Sequence, residues 1–171
     1  KTTGMHGGAV ALNNANASYH MYGGAIRDGN SGQWGGNVAV MGGAFYMHGG
    51  SISGGEVKSV STNAQANMTI RPNASLVMTG GSIEGRVYAY DTCAITVSDS
   101  AVIAGGNVNL TLNKNTLTVG ELSEDANVVI SCSNASDGRQ VATDVSTKAD
   151  TSGITYQDGT YRVVRDGDVL Y

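Results

Sequence analysis

The string FYMHGGSISG at residues 45–54 returns as LVMTGGSIEG at residues 76–85. Both copies share a Met, a Gly-Gly-Ser-Ile run and a closing Gly. The residues before the glycines alternate, so Phe45 and Met47 are predicted to share one face of a short strand. Paired glycines tolerate positive φ and allow a sharp bend. The stretch therefore predicts a strand, a glycine corner and a second strand.

Similar glycine pairs recur along the chain and define the predicted corners. These corners are Gly23, Gly24, Gly42, Gly43, Gly49, Gly50, Gly80 and Gly81. A strand of a few residues cannot bury its own face, but strands stacked at about 4.8 Å pair with one another and bury like residues together. Helical repeats need long runs of helix formers, whereas Gly, Asn, Ser and Thr dominate here. We predict an all-β fold, a right-handed parallel β-helix, which is a solenoid of short strands.

Composition changes near residue 120, and the chain is predicted to fall into three segments. The parallel β-helix spans residues 1–132, a polar loop spans 133–153, and a small antiparallel β meander spans 154–171. The meander is predicted from Asp-Gly pairs at 158–159 and 166–167, which lie between alternating apolar residues. A solenoid exposes a strand edge at its end, so the meander is expected to cap it. The alternative is a docking element through which one molecule meets the next.

Gly-Gly-Ala-aliphatic units at residues 7–10, 23–26 and 42–45 resemble the repeats of bacterial surface β-helix proteins, including polymorphic outer-membrane proteins and autotransporter passengers. The pattern Met-x-Gly-Gly-Ser-Ile-x-Gly at 47–54 and 78–85 more closely resembles repetitive secreted surface proteins of gut Gram-positive bacteria. The Phe-x-x-Asn partner repeat of the outer-membrane family is not evident in this sequence. The resemblance implies an extracellular, cell-surface repeat protein with an adhesin-like role.

Charge and hydropathy restrict the partners. The formal net charge is −4, from 10 Lys and Arg against 14 Asp and Glu. No cluster of basic residues suits a phosphate backbone, so nucleic-acid binding is not expected. No apolar run approaches about 18 residues, so no membrane span is expected. The sequence opens at Lys1 without an apolar leader, which is typical of a mature or fragmentary chain.

Tyr88 and Tyr90 are the candidate ligand-binding residues. They lie two positions apart and therefore on one face of a strand. If that face points outward, the rings are placed to stack on a sugar; if it points inward, they fill the core.

Cys93 and Cys132 also lie in strand-like runs. They are either two buried thiols or one disulfide that ties neighbouring coils in an oxidising compartment.

Candidate catalytic carboxylates are sparse. Glycosidases need two carboxylates about 5–9.5 Å apart, and Asp91 and Asp99 are the pair that neighbouring turns could bring together. A polysaccharide lyase or glycosidase is therefore the alternative, and no catalytic residue or cofactor is predicted.

Asn-x-Ser/Thr sequences would carry glycans only in a host that glycosylates them. They begin at Asn16, Asn67, Asn73, Asn109 and Asn134.

The histidines do not predict a metal site. His6 and His48 each precede a glycine pair, in positions that Tyr22 and Thr79 occupy in other units. Replacement by Tyr and Thr indicates an outward position without a shared task. No metal ligand is therefore predicted.

Together these patterns predict a non-enzymatic extracellular structural module of a bacterial surface protein, serving as a rigid stalk, an adhesin or a fibre subunit. Expected partners are further copies of the chain, through end-to-end or lateral assembly, and host or cell-wall glycans. The alternative function is a carbohydrate-binding or polysaccharide-degrading β-helix protein.

Overall fold

The structure is a computed structural model that describes residues 4–59, 66–104, 110–143, 145–146, 151–157 and 161–171. Within these residues the protein is all-β and its sheets are mainly parallel. The strands are short because glycines and turns interrupt each alternating run. In chain order they are β1 (Gly4–His6), β2 (Val10–Leu12), β3 (Ser18–Met21), β4 (Ala25–Arg27), β5 (Asn30–Trp34), β6 (Val38–Val40), β7 (Gly43–Met47), β8 (Ser51–Ser53), β9 (Glu56–Val57), β10 (Met68–Ile70), β11 (Ala74–Met78), β12 (Ser82–Ile83), β13 (Val87–Ala89), β14 (Ala94–Asp99), β15 (Val102–Ile103), β16 (Leu110–Leu112), β17 (Leu117–Leu122), β18 (Asn127–Cys132), β19 (Ala142–Thr143), β20 (Ile154–Tyr156), β21 (Arg165–Asp166) and β22 (Val169–Leu170). A 3-10 turn, Thr151–Gly153, precedes β20.

The described strands form three sheets. Sheet 1 has the order β1-β5-β9, and sheet 3 has the order β21-β22-β19-β17-β14-β11-β7-β3. Sheet 2 has the order β2-β6-β10-β13-β16-β18-β15-β12-β8-β4, and β20 also pairs with β18. Apart from β21 and β22, neighbouring strands are not consecutive in the chain, which returns to each sheet after a variable interval. Phe45 pairs with Leu76, and Leu76 pairs with Ile95 after a shorter length of chain.

The register aligns apolar side chains in columns that form one buried core. In sheet 3, one column contains Phe45, Leu76, Ile95 and Leu117, and the next contains Met21, Met47, Met78, Val97 and Val119. In sheet 2, a column contains Ile26, Ile52, Ile83, Ile103, Val128 and Ile154. Phe45 and Met47 are both fully buried, which confirms the predicted shared face. Burial of each large apolar side chain stabilises the fold by about 1.5–3 kcal/mol.

The predicted glycine corners lie at the bends between strands. The pair 23–24 separates β3 from β4, the pair 49–50 separates β7 from β8, and the pair 80–81 separates β11 from β12. The pair 42–43 follows β6, and its second glycine begins β7. The second glycine of every pair has a positive φ, between 77° and 88°. These bends turn the chain from sheet 3 to sheet 2, or from sheet 2 to sheet 3.

The carboxy-terminal part differs from the predicted loop and meander. Strands β19 and β20 pair in parallel with β17 and β18, so parallel structure continues past residue 132. Ile154 is 3% exposed and ends the column of sheet 2 that begins at Ile26, which we call the isoleucine column. Burial of this side chain explains why β20 joins the parallel sheet. Only β21 and β22 form an antiparallel hairpin among the described residues, and β22 is also antiparallel to β19. The hairpin turns at Gly167, within one predicted Asp-Gly pair; the pair at 158–159 lies outside the described residues.

Candidate functional site

Sheet 3 carries an exposed group of aromatic and imidazole rings on the face opposite the core. Strand alternation places them there, because the Met in each of the triplets His-Met-Tyr at 20–22 and Tyr-Met-His at 46–48 points inward. The outward residues are His20, Tyr22, Tyr46 and His48, which we call the ring patch. Tyr22 is 75% exposed, the largest exposed fraction among the large apolar side chains that the structure describes.

The rings of the patch stack across the two strands. His20 lies over Tyr46, with ring centroids 4.4 Å apart and planes within 7°. Tyr22 lies over His48 at 4.7 Å. The parallel register of β3 and β7 sets this arrangement, because it pairs His20 with Tyr46 directly. Ring faces therefore cover one another, while ring edges and polar atoms face solvent.

Polar contacts connect the patch to the next strand. Nδ1 of His20 lies 3.3 Å from Nε2 of His48, and Nδ1 of His48 lies 3.1 Å from Oγ1 of Thr79. Tyr22, His48 and Thr79 each precede a glycine pair in the sequence. In the structure they form a row, in which Tyr22 contacts His48 and His48 contacts Thr79. His6 lies elsewhere, stacked on Trp34 at 4.8 Å.

The sequence prediction missed the contact between His20 and His48. It compared residues at equivalent positions before glycine pairs, whereas these two histidines are diagonal neighbours in adjacent strands. A signal was present, because a ring-Met-ring triplet occurs at 20–22 and again, with the rings exchanged, at 46–48.

The same face changes chemistry toward the carboxy terminus. In register with Tyr46 lies Val77, followed by Thr96, Thr118 and Thr143. Hydroxyl groups therefore replace rings along one column, and Oγ1 of Thr116 lies 3.4 Å from Oγ1 of Thr143. The face offers ring edges at one end and threonine hydroxyls at the other.

Tyr88 and Tyr90 share a face, as the spacing predicts, and their rings meet edge to face at 4.7 Å. Tyr88 is on the side of β13 opposite the core, because its neighbours Val87 and Ala89 belong to the core cluster. It is nevertheless only 2% exposed. Tyr88 is therefore buried outside the main core cluster and is not an open platform for a sugar, and Tyr90 is half-buried beside it.

Arginines cover the two tyrosines. The Arg86 guanidinium lies 4.8 Å from the Tyr88 ring centroid, and Arg71 lies 4.3 Å from the centroids of both Tyr90 and Trp34. Burial lowers the pKa of Arg86, while the adjacent Tyr88 and Tyr90 oppose that shift. Cation–π contacts of this kind contribute about 0.5–2 kcal/mol each. The cluster holds the outer surface of sheet 2 together and leaves little ring area open.

Both cysteines are free thiols in this structure. A disulfide between Cys93 and Cys132 stays a prediction. Cys93 is buried, and its Sγ accepts a hydrogen bond of 3.3 Å from Nδ2 of Asn115. Burial raises the pKa of the Cys93 thiol to about 12. Burial also raises the pKa of Cys132, which Arg139 partly counteracts. Both groups are therefore protonated thiols at neutral pH.

A cavity of about 380 Å³ lies beside Cys132 near the carboxy terminus. Its wall includes Arg139, Arg162 and the rings of Tyr156 and Tyr161, which meet edge to face at 5.2 Å. Nη2 of Arg139 donates a hydrogen bond of 2.6 Å to the carbonyl oxygen of Asn113. The guanidinium is thus engaged in holding the loop that forms the wall.

The candidate carboxylates lie at strand ends. Asp91 lies in the turn after β13 and forms an ion pair of 3.4 Å with Lys114, while Asp99 ends β14. The described residues contain no group of three or more His, Cys, Asp or Glu side chains arranged to hold a metal ion. In the same part of the chain, no helix has the length and hydropathy needed to cross a membrane.

Comparison of the chain with protein-family models, curated proteins and solved structures gives no match. Its function is therefore inferred from the geometry of its own residues. Two features bear on it: parallel sheets with an aligned core, and one exposed face that displays the ring patch.

Proposed function

We propose that the chain is a right-handed parallel β-helix that acts as a rigid, non-enzymatic, extracellular module of a bacterial surface protein. The supporting observation is the alignment of core columns across sheets whose neighbouring strands are distant in the chain. In sheet 2, one such column contains six aliphatic residues from β4 to β20. A chain that returns to each sheet in turn, in parallel and in register, is typical of a solenoid.

Stiffness follows from this arrangement. Each interior strand pairs with a strand on both sides, so bending the long axis stretches many backbone hydrogen bonds at once. Close-packed columns of side chains also resist compression. The chain is thereby suited to be a stalk, an adhesin or a fibre subunit that holds a recognition surface away from a cell.

Imaging the purified chain tests this proposal. Negative-stain electron microscopy or atomic force microscopy should show short rods of uniform length. If the module polymerises, rods should lengthen with concentration through end-to-end contacts. Particles without an elongated shape in both electron microscopy and small-angle scattering would contradict the β-helix. Monomers at every concentration would exclude the fibre version and leave the stalk and adhesin versions.

The second candidate function is binding of host or cell-wall glycans. The ring patch favours it, because aromatic and imidazole edges lie exposed together on one face. A glycan array probed with the intact chain should give signals that fall when Tyr22→Ala and Tyr46→Ala are combined. Thr96→Ala, on the same face but outside the patch, is the matched control. Equal loss in the control would place glycan recognition outside the ring patch.

An enzymatic role is tested by activity on acidic polysaccharides. We expect no depolymerisation of pectate or alginate by the purified chain. Activity that is lost on Asp91→Ala or Asp99→Ala would replace the structural role with a catalytic one.

A further inference from the structure

We propose that His20 and His48 form a surface site for a divalent transition-metal ion, with Cu²⁺ and Zn²⁺ as the ions to test. This site does not depend on the proposed mechanical function. It arises from two imidazoles, distant in the sequence, that the parallel register of β3 and β7 brings together.

The distance between the two nitrogens suits a shared ion. Nδ1 of His20 and Nε2 of His48 are 3.3 Å apart. An ion at the usual imidazole–zinc distance of about 2.0–2.1 Å from each nitrogen would see them at an angle of about 107°, near the tetrahedral value. The backbone already holds the two histidines on neighbouring strands, because each adjoins a methionine that is buried in the core.

Ring orientation requires one adjustment. The planes of the two imidazoles are within 10° of parallel, with centroids 5.6 Å apart. Their in-plane lone pairs must therefore turn toward a common point. Both side chains are exposed, so rotation about their Cβ–Cγ bonds is opposed mainly by the rings stacked on them. Tyr22 and Tyr46, stacked on the same two rings, limit how far each imidazole turns.

Thr79 prepares His48 for this role. Its Oγ1 lies 3.1 Å from Nδ1 of His48. When Nδ1 carries the proton and donates to this hydroxyl, Nε2 presents its lone pair to the ion. A hydrogen bond from the second ring nitrogen is the usual way in which proteins orient a ligating histidine.

The chemistry of the two ligands selects the ion. Imidazole suits Cu²⁺, Zn²⁺ and Ni²⁺, and a given site binds Cu²⁺ more tightly than Zn²⁺. Water would complete the coordination, since the described residues place no third His, Cys, Asp or Glu in a metal-binding group.

Titration calorimetry of the tag-free full chain with CuCl₂ and then ZnCl₂ tests the site. We expect one ion per chain and tighter binding of Cu²⁺. His20→Ala and His48→Ala should each weaken binding by roughly tenfold or more, because each removes one of two ligands. His6→Ala is the matched control, since His6 stacks on Trp34 outside the patch. It should leave the affinity unchanged.

A spectroscopic arm separates two-nitrogen binding from a single-histidine contact. Electron paramagnetic resonance of the Cu²⁺ complex should show coupling to two imidazole nitrogens, and to one after either substitution. Thr79→Val should weaken Cu²⁺ binding several-fold while both couplings persist. Equal affinity for the wild-type chain and the His20→Ala/His48→Ala double variant overturns the proposal. So does loss of binding on only one of the two substitutions, or equal loss on His6→Ala.

Discussion

Two kinds of corner turn this chain, and they work in opposite ways. The glycine corners at 49–50 and 80–81 join sheet 3 to sheet 2, and they depend on the absence of side chains. The asparagine corner, formed by Asn37 and Asn67 just before β6 and β10, depends on the presence of side chains that are almost completely buried. The asparagine side chains add hydrogen bonds between segments that glycines, which have no side chain, do not supply.

At the glycine corners, conformation and crowding act together. Gly81 has φ of 80°, a value that side-chain-bearing residues adopt only with strain. A Cβ on Gly81 would lie 2.8 Å from the carbonyl oxygen of Gly50, since the corners stack on one another. Gly24, the equivalent residue two turns earlier, has φ of 81° but open space where its Cβ would be.

At the asparagine corner, the side-chain amides hydrogen-bond to each other and to backbone N–H and C=O groups. Nδ2 of Asn37 donates to Oδ1 of Asn67 at 2.7 Å, and Nδ2 of Asn67 donates to the carbonyl oxygen of Glu84 at 2.6 Å. Oδ1 of Asn37 accepts from the backbone N–H of Gly29 at 2.7 Å. Gly55 provides the space, because a Cβ there would collide with Oδ1 of Asn67. These side-chain bonds join segments that are between 8 and 30 residues apart in the chain.

The largest expected effect comes from removing an amide. Asn67→Ala should lower the free energy of unfolding by about 4 kcal/mol, because it leaves buried polar groups unpaired and opens a cavity. Urea denaturation followed by circular dichroism measures the change. Asn16→Ala, at an exposed asparagine, should change stability by less than about 0.5 kcal/mol. Similar losses of unfolding free energy in both variants would show that the buried amide of Asn67 stabilises the fold no more than an exposed one.

A glycine series should give the next largest effect. Gly81→Ala is expected to cost about 2–3 kcal/mol, from backbone strain and the collision with Gly50 together. Gly24→Ala should cost about 1 kcal/mol, because only the strain applies. Denaturation midpoints of the two variants, measured side by side, separate the two causes. Equal losses would mean that stacking of the corners contributes nothing.

Alkaline pH tests the bend at Cys93, whose buried sulfur accepts a hydrogen bond from Asn115. In the unfolded chain the Cys93 thiol releases its proton near its ordinary pKa of 9.0, but burial holds the proton in the folded chain up to about 12. The unfolded state thus binds fewer protons, so stability falls as pH rises from 9 toward 12. The loss should be about 1.4 kcal/mol by pH 10. Cys93→Ala should remove this part of the pH dependence, and an unchanged slope would contradict the assignment.

The smallest expected effect is a gain. Thr92 has φ of 62°, which is strained for a β-branched residue. Thr92→Gly should raise the free energy of unfolding by about 0.5–1 kcal/mol, since relief of strain exceeds the added chain entropy of glycine. Asn73, with φ of 63° one turn earlier, is the control. Asn tolerates this conformation, so Asn73→Gly should give no gain in the same thermal melts.

Sequence patterns predicted the glycine corners and the inward strand faces because these depend on local chemistry. Gly-Gly marks a bend and alternating Met and Phe mark a buried face, whatever lies elsewhere in the chain. The asparagine corner is not local. Asn67 stands out in the sequence only as the start of an Asn-x-Ser/Thr motif, yet the residue is 5% exposed and its amide is therefore closed to glycosylation in the folded chain.

Other features needed the register between strands. The contact of His20 with His48 exists because β3 and β7 pair with one particular offset, which spacing alone did not define. The covering of Tyr88 by Arg86 likewise depends on side chains placed around the strand. Strand β20 was expected to be antiparallel because its apolar residues precede an Asp-Gly pair. Its long-range alignment with the isoleucine column outweighs that short-range signal.

The unequal intervals between paired residues have a consequence for the tolerance of insertions. Phe45, Leu76 and Ile95 occupy one column, although the chain between the first two is clearly longer than the chain between the last two. Connecting segments of different length therefore join strands of one sheet without displacing the core column. Insertions and deletions of surface segments are tolerated here more readily than a one-residue slip inside a strand, which would reverse every side chain. We therefore expect this fold to accept changes in the length of its connecting segments while its strands keep their register.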